Sequence, residues 1–369
     1  MPAPMPEARH PNAVRLELEP GGVVHTNLSG AAFSGDWLWV AGDEACAVER
    51  LRRLDPVGPE ALRFGQAHTF ALADLLDLPG APDDEADLEG LDEVDGWLWL
   101  AGSHGLKRRN AKSGREDADN ARRLARVKLD GNRRLLARVP IELRDGVPHL
   151  ARTAADGRRA ARLKGDAEDN QLTRLLRDDD HLAPFLEIPG KDNGFDIEGL
   201  AVLDGRRLLL GLRGPVLRGW SLLLEIAVEA HQGHLELVPL DAGERDGVRL
   251  RKHFVQLGGL GVRDLHFDGD DLYILAGPTM VLDGEIRLLR WSGARRVLLD
   301  NRQPVRFEPA LPVLGELPHG PGCDRAEAFC EVPASLAGAT PAWLVLYDAP
   351  GAQRCAEDGA VYGDLLRRL

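Results

Sequence analysis

Apolar residues along most of this chain fall in short runs separated by turn pairs, without the three-to-four spacing of a helix. Two runs nearly superimpose: Gly35-Asp36-Trp37-Leu38-Trp39-Val40-Ala41-Gly42 and Asp95-Gly96-Trp97-Leu98-Trp99-Leu100-Ala101-Gly102. Two others keep the frame, from Asp204-Gly205 to Gly211 and from Asp268-Gly269 to Gly277. A fifth runs from Asp324 to Phe329 and returns through Trp343-Leu344-Val345-Leu346-Tyr347 after a longer connection. Each unit reads as a strand, a tight turn and a second strand, because an Asp-Gly or Gly-Asp pair between apolar runs is a strong hairpin signal. The second strands are almost wholly apolar, so both of their faces must be covered.

Further strands are expected after each hairpin. Residues 124–129 and 135–139 flank Asp130-Gly131-Asn132, and residues 222–228 and 235–239 flank a loop holding His231 and His234. Four strands per recurring unit is the blade pattern of a propeller. The fold class is therefore all-β: a single β-propeller domain over residues 1–369 with five four-stranded blades, six being the alternative count. The strand at residues 13–18 is expected to complete the last blade and close the ring, which removes exposed sheet edges. One segment departs from the pattern. Residues 158–184 mix charges with Leu163, Leu172, Leu175, Leu176 and Leu182, a spacing that predicts a helical insertion between blades two and three.

The repeat also carries chemistry. Thirteen positions before the closing glycines Gly102, Gly211 and Gly277 stand Glu89, Glu198 and Asp264; Ser29 stands there for Gly42, and Glu327 opens the fifth unit. With Asp87 and Asp196 nearby, these acids are expected to converge at one mouth of the channel, where facing glycines would leave room for a ligand. Three roles are open to them. They can cap backbone N–H groups of a neighbouring blade, hold calcium or another divalent cation through hard oxygen ligands, or act in acid–base catalysis. Two positions past the closing glycines come Glu44, His104, Arg213 and Thr279. Among these, His104 is a candidate general base, and Arg213 offers a planar fork suited to carboxylate or phosphate.

At Asp87-x-Glu89-Gly90-Leu91, Asp196-x-Glu198-Gly199-Leu200 and Gly211-Leu212-Arg213-Gly214-Pro215, the chain resembles a bacterial domain family of unknown function. More distantly, the Glu-Gly-Leu hairpins are similar to those of esterase-like phytase propellers. That resemblance implies a calcium-supported site for phosphorylated substrates. The expected function is thus an acidic channel-mouth site, read either as a metal-assisted hydrolase of an anionic, phosphoester-like small molecule or as a non-catalytic propeller that binds a ligand or protein partner and whose acids are structural.

Composition narrows the partners. A formal net charge of -13 argues against a nucleic-acid partner, which needs a surplus of Lys and Arg. No run approaches the length of a membrane span, and Met1-Pro2-Ala3-Pro4-Met5-Pro6 lacks the basic start and apolar core of a secretory signal. Four scattered cysteines form no disulfide framework. The expectation is a soluble cytoplasmic protein with reduced thiols, and no phosphate-loop, dinucleotide-binding or nucleophile-elbow motif is present.

Overall fold

A computed structural model describes residues 12–22, 24–241 and 247–367; the proline-rich start weighed above as a signal sequence lies outside them. The five expected hairpins all form. Their strands are Leu28–Ser34 with Trp37–Gly42, Leu88–Val94 with Trp97–Gly102, Asp196–Val202 with Arg207–Gly214, Gly261–Asp268 with Asp271–Gly277, and Arg325–Val332 with Ala342–Asp348. The first strands of successive hairpins lie side by side, and the fifth returns to lie beside the first. Each hairpin is extended outward by further antiparallel strands, so the sheets radiate from a central axis.

The core explains this arrangement. Five apolar clusters fill the spaces between neighbouring sheets. One joins Trp39 and Leu98 between the first and second sheets; another joins Trp99 and Leu210 between the second and third. Leu209 with Ile274, Leu275 with Trp343, and Leu344 with Leu38 continue the cycle back to the start. Strands that are apolar on both faces can be buried in this way because each sheet is covered by two neighbours. The architecture is mostly β and propeller-like. Strand Ala13–Leu16 pairs antiparallel with Val361–Arg367 of the last sheet, as expected, and also pairs parallel with Leu62–Ala71 of the first, so those two sheets are continuous.

The glycine that follows Ser29, Glu89 or Glu198 serves this packing. A Cβ on Gly90 would lie 2.6 Å from the Cβ of Leu200, and one on Gly30 would lie 2.9 Å from Cγ of Leu91. The leucine of one unit thus fills the space left by the glycine of the unit before it.

Two expectations need correction. Residues 124–129 are not a strand: Asp117–Leu124 is a surface helix, Val127–Lys128 makes only a two-residue ladder with Lys107–Arg108, and the third strand of this sheet is Leu136–Arg144. Its turn is Asp145-Gly146, where both residues have positive φ. The insertion at residues 158–184 lies where expected but is only partly helical. It holds one short helix, Gln171–Leu176, a single tight turn at Ala183–Phe185, and a two-residue strand, Ala161–Arg162. Leu163, Leu172, Leu176 and Leu182 are fully buried against the second and third sheets, so tertiary packing, not helix length, orders the segment.

Candidate functional site

Each inner strand contains an irregularity in its ladder, and the third contains two. Counted from the pair beside each turn, the bulged residue lies five positions upstream in four hairpins and four in the third; it is Ser29, Glu89, Glu198, Arg263 or Glu327. A bulge re-aims its side chain away from the regular alternation. Four charged side chains are thereby brought together at the end of the hairpins opposite the turns, each almost wholly buried.

Arg263 is the member that counting from glycines missed. Its Nη1 donates to Glu198 Oε2 at 2.9 Å and to Glu327 Oε1 at 2.5 Å, while Nη2 donates to the carbonyl of Pro278 at 3.0 Å. Arg213, from the second strand of the third hairpin, binds Glu198 Oε1 at 2.5 Å and also Asp196. Arg133 reaches Asp87 at 2.5 Å and Glu85 at 3.2 Å. Asp87, Glu89, Asp196, Glu198 and Glu327 therefore converge as expected, but they do so within an arginine lattice. The Arg263 guanidinium, on the fourth inner strand, ties together the third and the fifth, the geometry for which a planar five-donor fork is suited.

Glu89 stands apart. It is 6 % exposed, and among the described residues no hydrogen bond or ion pair reaches its carboxyl group. Burial, followed by the charges of Glu198, Asp87, Glu327 and Asp43, pushes its pKa well above the ordinary carboxylate range. Burial likewise lifts Asp43 to about 8, aided by Asp348, Asp87 and Glu327. It lifts Glu198 to about 7 against the pull of Arg213 and Arg263, and Asp348 to about 6 with Glu327 adding to the effect. Lys191 is a cation beside this basin. Burial and Arg213 oppose its charge, but Glu327, Asp87 and Glu89 prevail and raise its pKa.

Asp264 does not belong to the cluster. Its carboxylate accepts from the backbone N–H of Leu265 and of Phe329, both at 2.8 Å, so it ties the fourth inner strand to the fifth. Gly277 sits one residue later in its ladder than Gly102 does in the second hairpin. Counting back from it lands on Asp264, where the bulged residue is Arg263. The same offset affects the second strands: the true equivalents of Arg213 are Asp43, Ser103 and Gly277, not Glu44, His104 and Thr279, with Asp348 in the fifth hairpin.

His104 is not available as a general base. It is 1 % exposed at φ 59°, with Nδ1 donating to the carbonyl of Gly102 at 2.8 Å and Nε2 accepting from Asn170 at 2.8 Å. Burial, with Arg134 beside it, lowers its pKa to about 3, so the ring is neutral and fixed in place. Asn170 also caps the helix Gln171–Leu176, which gives the insertion a purpose: it locks this loop. Nor do the closing glycines leave room for a ligand. A Cβ on Gly102 would lie 2.7 Å from the carbonyl oxygen of Arg133, so protein already fills that space.

The residues present do not fit a calcium cage. Calcium takes six to eight oxygens, yet among the described residues no three His, Cys, Asp or Glu side chains are placed to hold an ion. The carboxylates of Asp87, Asp196, Glu198 and Glu327 are directed at guanidinium groups instead.

A family model described as "Protein of unknown function (DUF3616)" matches residues 27–364, from the residue that precedes the first inner strand to the middle of the last strand. The chain belongs to that family. No curated protein matches it. Among solved structures, it is similar to the PQQ-bound form of aldose sugar dehydrogenase from Streptomyces coelicolor, at 13% identity and a TM-score of 0.33, covering 99% of this chain and 100% of that one. It is also similar to a candidate oxidoreductase (glucose dehydrogenase) of Thermus thermophilus, at 14% identity and a TM-score of 0.38, covering 94% and 99%.

Within this family member, the polar basin is distinct from the more open surface clefts. One such cleft lies at the turn end of the first two hairpins, lined by Trp37, Glu93, Glu142, Pro148 and Arg158. Its acids are already occupied, Glu93 by the N–H of Gly96 and Glu142 by Ala155 and Arg144. No helix among the described residues is long and apolar enough to cross a membrane.

Proposed function

We propose that the chain is a ligand-binding propeller whose five sheets are its five blades, and that its channel mouth takes a small organic cation with Glu89 as the anchoring carboxylate. The observation that carries this reading is the unpartnered, buried carboxyl of Glu89 in a basin whose other acids push its pKa upward. A group in that state is poised to give up its proton once a countercharge arrives, since an adjacent positive charge favours the ionised form. The arginines do not favour an anionic, phosphoester-like ligand. Arg213 and Arg263 are each held by two carboxylates, and Arg133 is held by Asp87 and Glu85, which leaves no free guanidinium fork for a phosphate.

Calorimetry with putrescine, calcium chloride, inorganic phosphate and glucose tests this proposal. Putrescine is expected to bind with proton release, measured by repeating the titration in buffers of different ionisation enthalpy. Its affinity should rise with pH as Glu198 and Asp43 pass through about 7 and about 8. Glu89→Gln should weaken binding by at least about tenfold, the equivalent of about 1.4 kcal/mol. Binding of phosphate in place of the amine, or an unchanged affinity in Glu89→Gln, would overturn the proposal.

A further inference from the structure

We propose that the outer edge of the third sheet pairs with the same edge of a second copy of this chain, forming a two-fold dimer centred on Phe307. Strand Val305–Glu308 ends that sheet. It pairs parallel with Leu250–Gln256 on its inner side, through Val305 with Lys252 and Phe307 with Phe254. Among the described residues no strand pairs with its other side. An open edge presents a row of backbone donors and acceptors ready to accept a further strand.

The side chains on this edge suit such pairing. Phe307 is 54% exposed although its ring stacks on Phe254 at 4.6 Å and 9° and meets Trp220 edge-on at 5.0 Å. Val305 is exposed beside it. The strand is short, four residues between Pro304 and Pro309, and its aromatic ring extends an internal row out to the surface.

Charge fixes the partner as a second copy and sets the register. Arg306 and Glu308 are two positions apart and so share one face of the strand, 3.4 Å from each other. Arg306 Nε is buried without a hydrogen-bond partner. In an antiparallel pair with its two-fold axis at Phe307, residues equidistant from that point face each other. Phe307 then meets Phe307 of the partner subunit, extending the stack from Phe254, and Arg306 meets Glu308 of the partner subunit twice over. Directly opposed opposite charges stabilise a strand pair, and like charges there destabilise it. The segment is complementary to itself in this register, as an isologous interface requires.

Sedimentation velocity on the full chain, from low micromolar to hundreds of micromolar, tests the proposal. The wild type should approach twice the monomer mass at the upper end. Phe307→Ser should remain monomeric. Arg306→Glu places Glu opposite Glu and Glu308→Arg places Arg opposite Arg, so each should weaken association at least about tenfold, while the double exchange restores it. Circular dichroism on every variant keeps a folding defect from passing as lost association. Because the double exchange must recover what each single change loses, the register can be refuted even if one variant folds poorly. A wild type that stays monomeric across the series, a Phe307→Ser variant that still dimerises, or a double exchange no better than the singles would overturn the proposal.

Discussion

Replacing Arg263 by Met removes the one cation that joins Glu198 to Glu327. Glu198 keeps Arg213, but Glu327 loses its only ion-pair partner among the described residues. Removing one member of a buried ion pair typically costs about 3–5 kcal/mol, because the remaining charge stays desolvated without compensation. An unfolding entropy of about 2.1 cal/mol/K per residue gives this 369-residue chain roughly 0.8 kcal/mol/K at its midpoint, so the expected fall in Tm is about 4–6 °C. The loss depends on pH in a defined direction. Without Arg263, the folded-state pKa of Glu198 rises further above its unfolded value. A carboxyl group raised in this way is harmless below its unfolded pKa and increasingly destabilising as pH rises toward the folded one. The deficit should therefore be small near about pH 5 and largest by about pH 8, above the value near 7 already reached by Glu198. Denaturant unfolding and calorimetric melting of both proteins at the two pH values measure it. Adding Glu327→Gln to Arg263→Met should recover part of the loss at high pH, since an amide needs no countercharge. A loss below about 1 kcal/mol at the higher pH, or one equal at both, would refute the placement of Arg263 as the bridge.

Two more predictions follow from the packing. His104 is held at about 3, below its unfolded value near 6.5, so the unfolded chain takes up a proton that the folded chain refuses; stability should fall as pH drops from about 6.5 toward 3, by up to about 1.4 kcal/mol per pH unit. His104→Asn, whose side chain tolerates the left-handed φ, should flatten that slope in urea unfolding across a pH series, and an unchanged slope would place its origin elsewhere. Gly90→Ala should cost about 1–3 kcal/mol through overpacking against Leu200, measured by chemical denaturation, and Leu200→Ala in that background should cost less than it does alone; additive losses would contradict the contact.

The hairpins were legible because their turns are two-residue Asp-Gly or Gly-Asp pairs in three of the five units, and local chemistry alone dictates such turns. The closing role of the strand near the start was legible for the same kind of reason, as an apolar run left without a neighbour. Arg263 was not. The repeat was aligned on glycines, and in the fourth unit the glycine had moved one position along the second strand, so an acid beside the site took the place of the arginine within it. Counting five positions back from the pair beside the turn finds it, since the bulge keeps that distance in every unit but the third. His104 was misjudged for a different reason. The residues that bury it, Asn170 and Arg134, come from a segment whose fold is set by tertiary packing, which periodicity does not report. Arg133 was missed on the same ground, because it enters from a tight turn outside the repeated motif.

Strand Ala13–Leu16 has a consequence for how this molecule is made. It lies between Val361–Arg367 and Leu62–Ala71, so two regions separated by almost the whole sequence share one continuous sheet. During synthesis the earliest of these strands emerges long before its antiparallel partner exists, and contacts so distant in sequence form slowly. Until Val361–Arg367 leaves the ribosome, the first and last sheets both keep an unsatisfied margin, and the nascent chain carries an exposed edge for nearly the whole of translation. A ribosome that stalls before the codons for Val361–Arg367 should therefore release a chain whose middle sheets are sound but whose seam is open, the state in which proteolysis or mispairing with another nascent chain would begin.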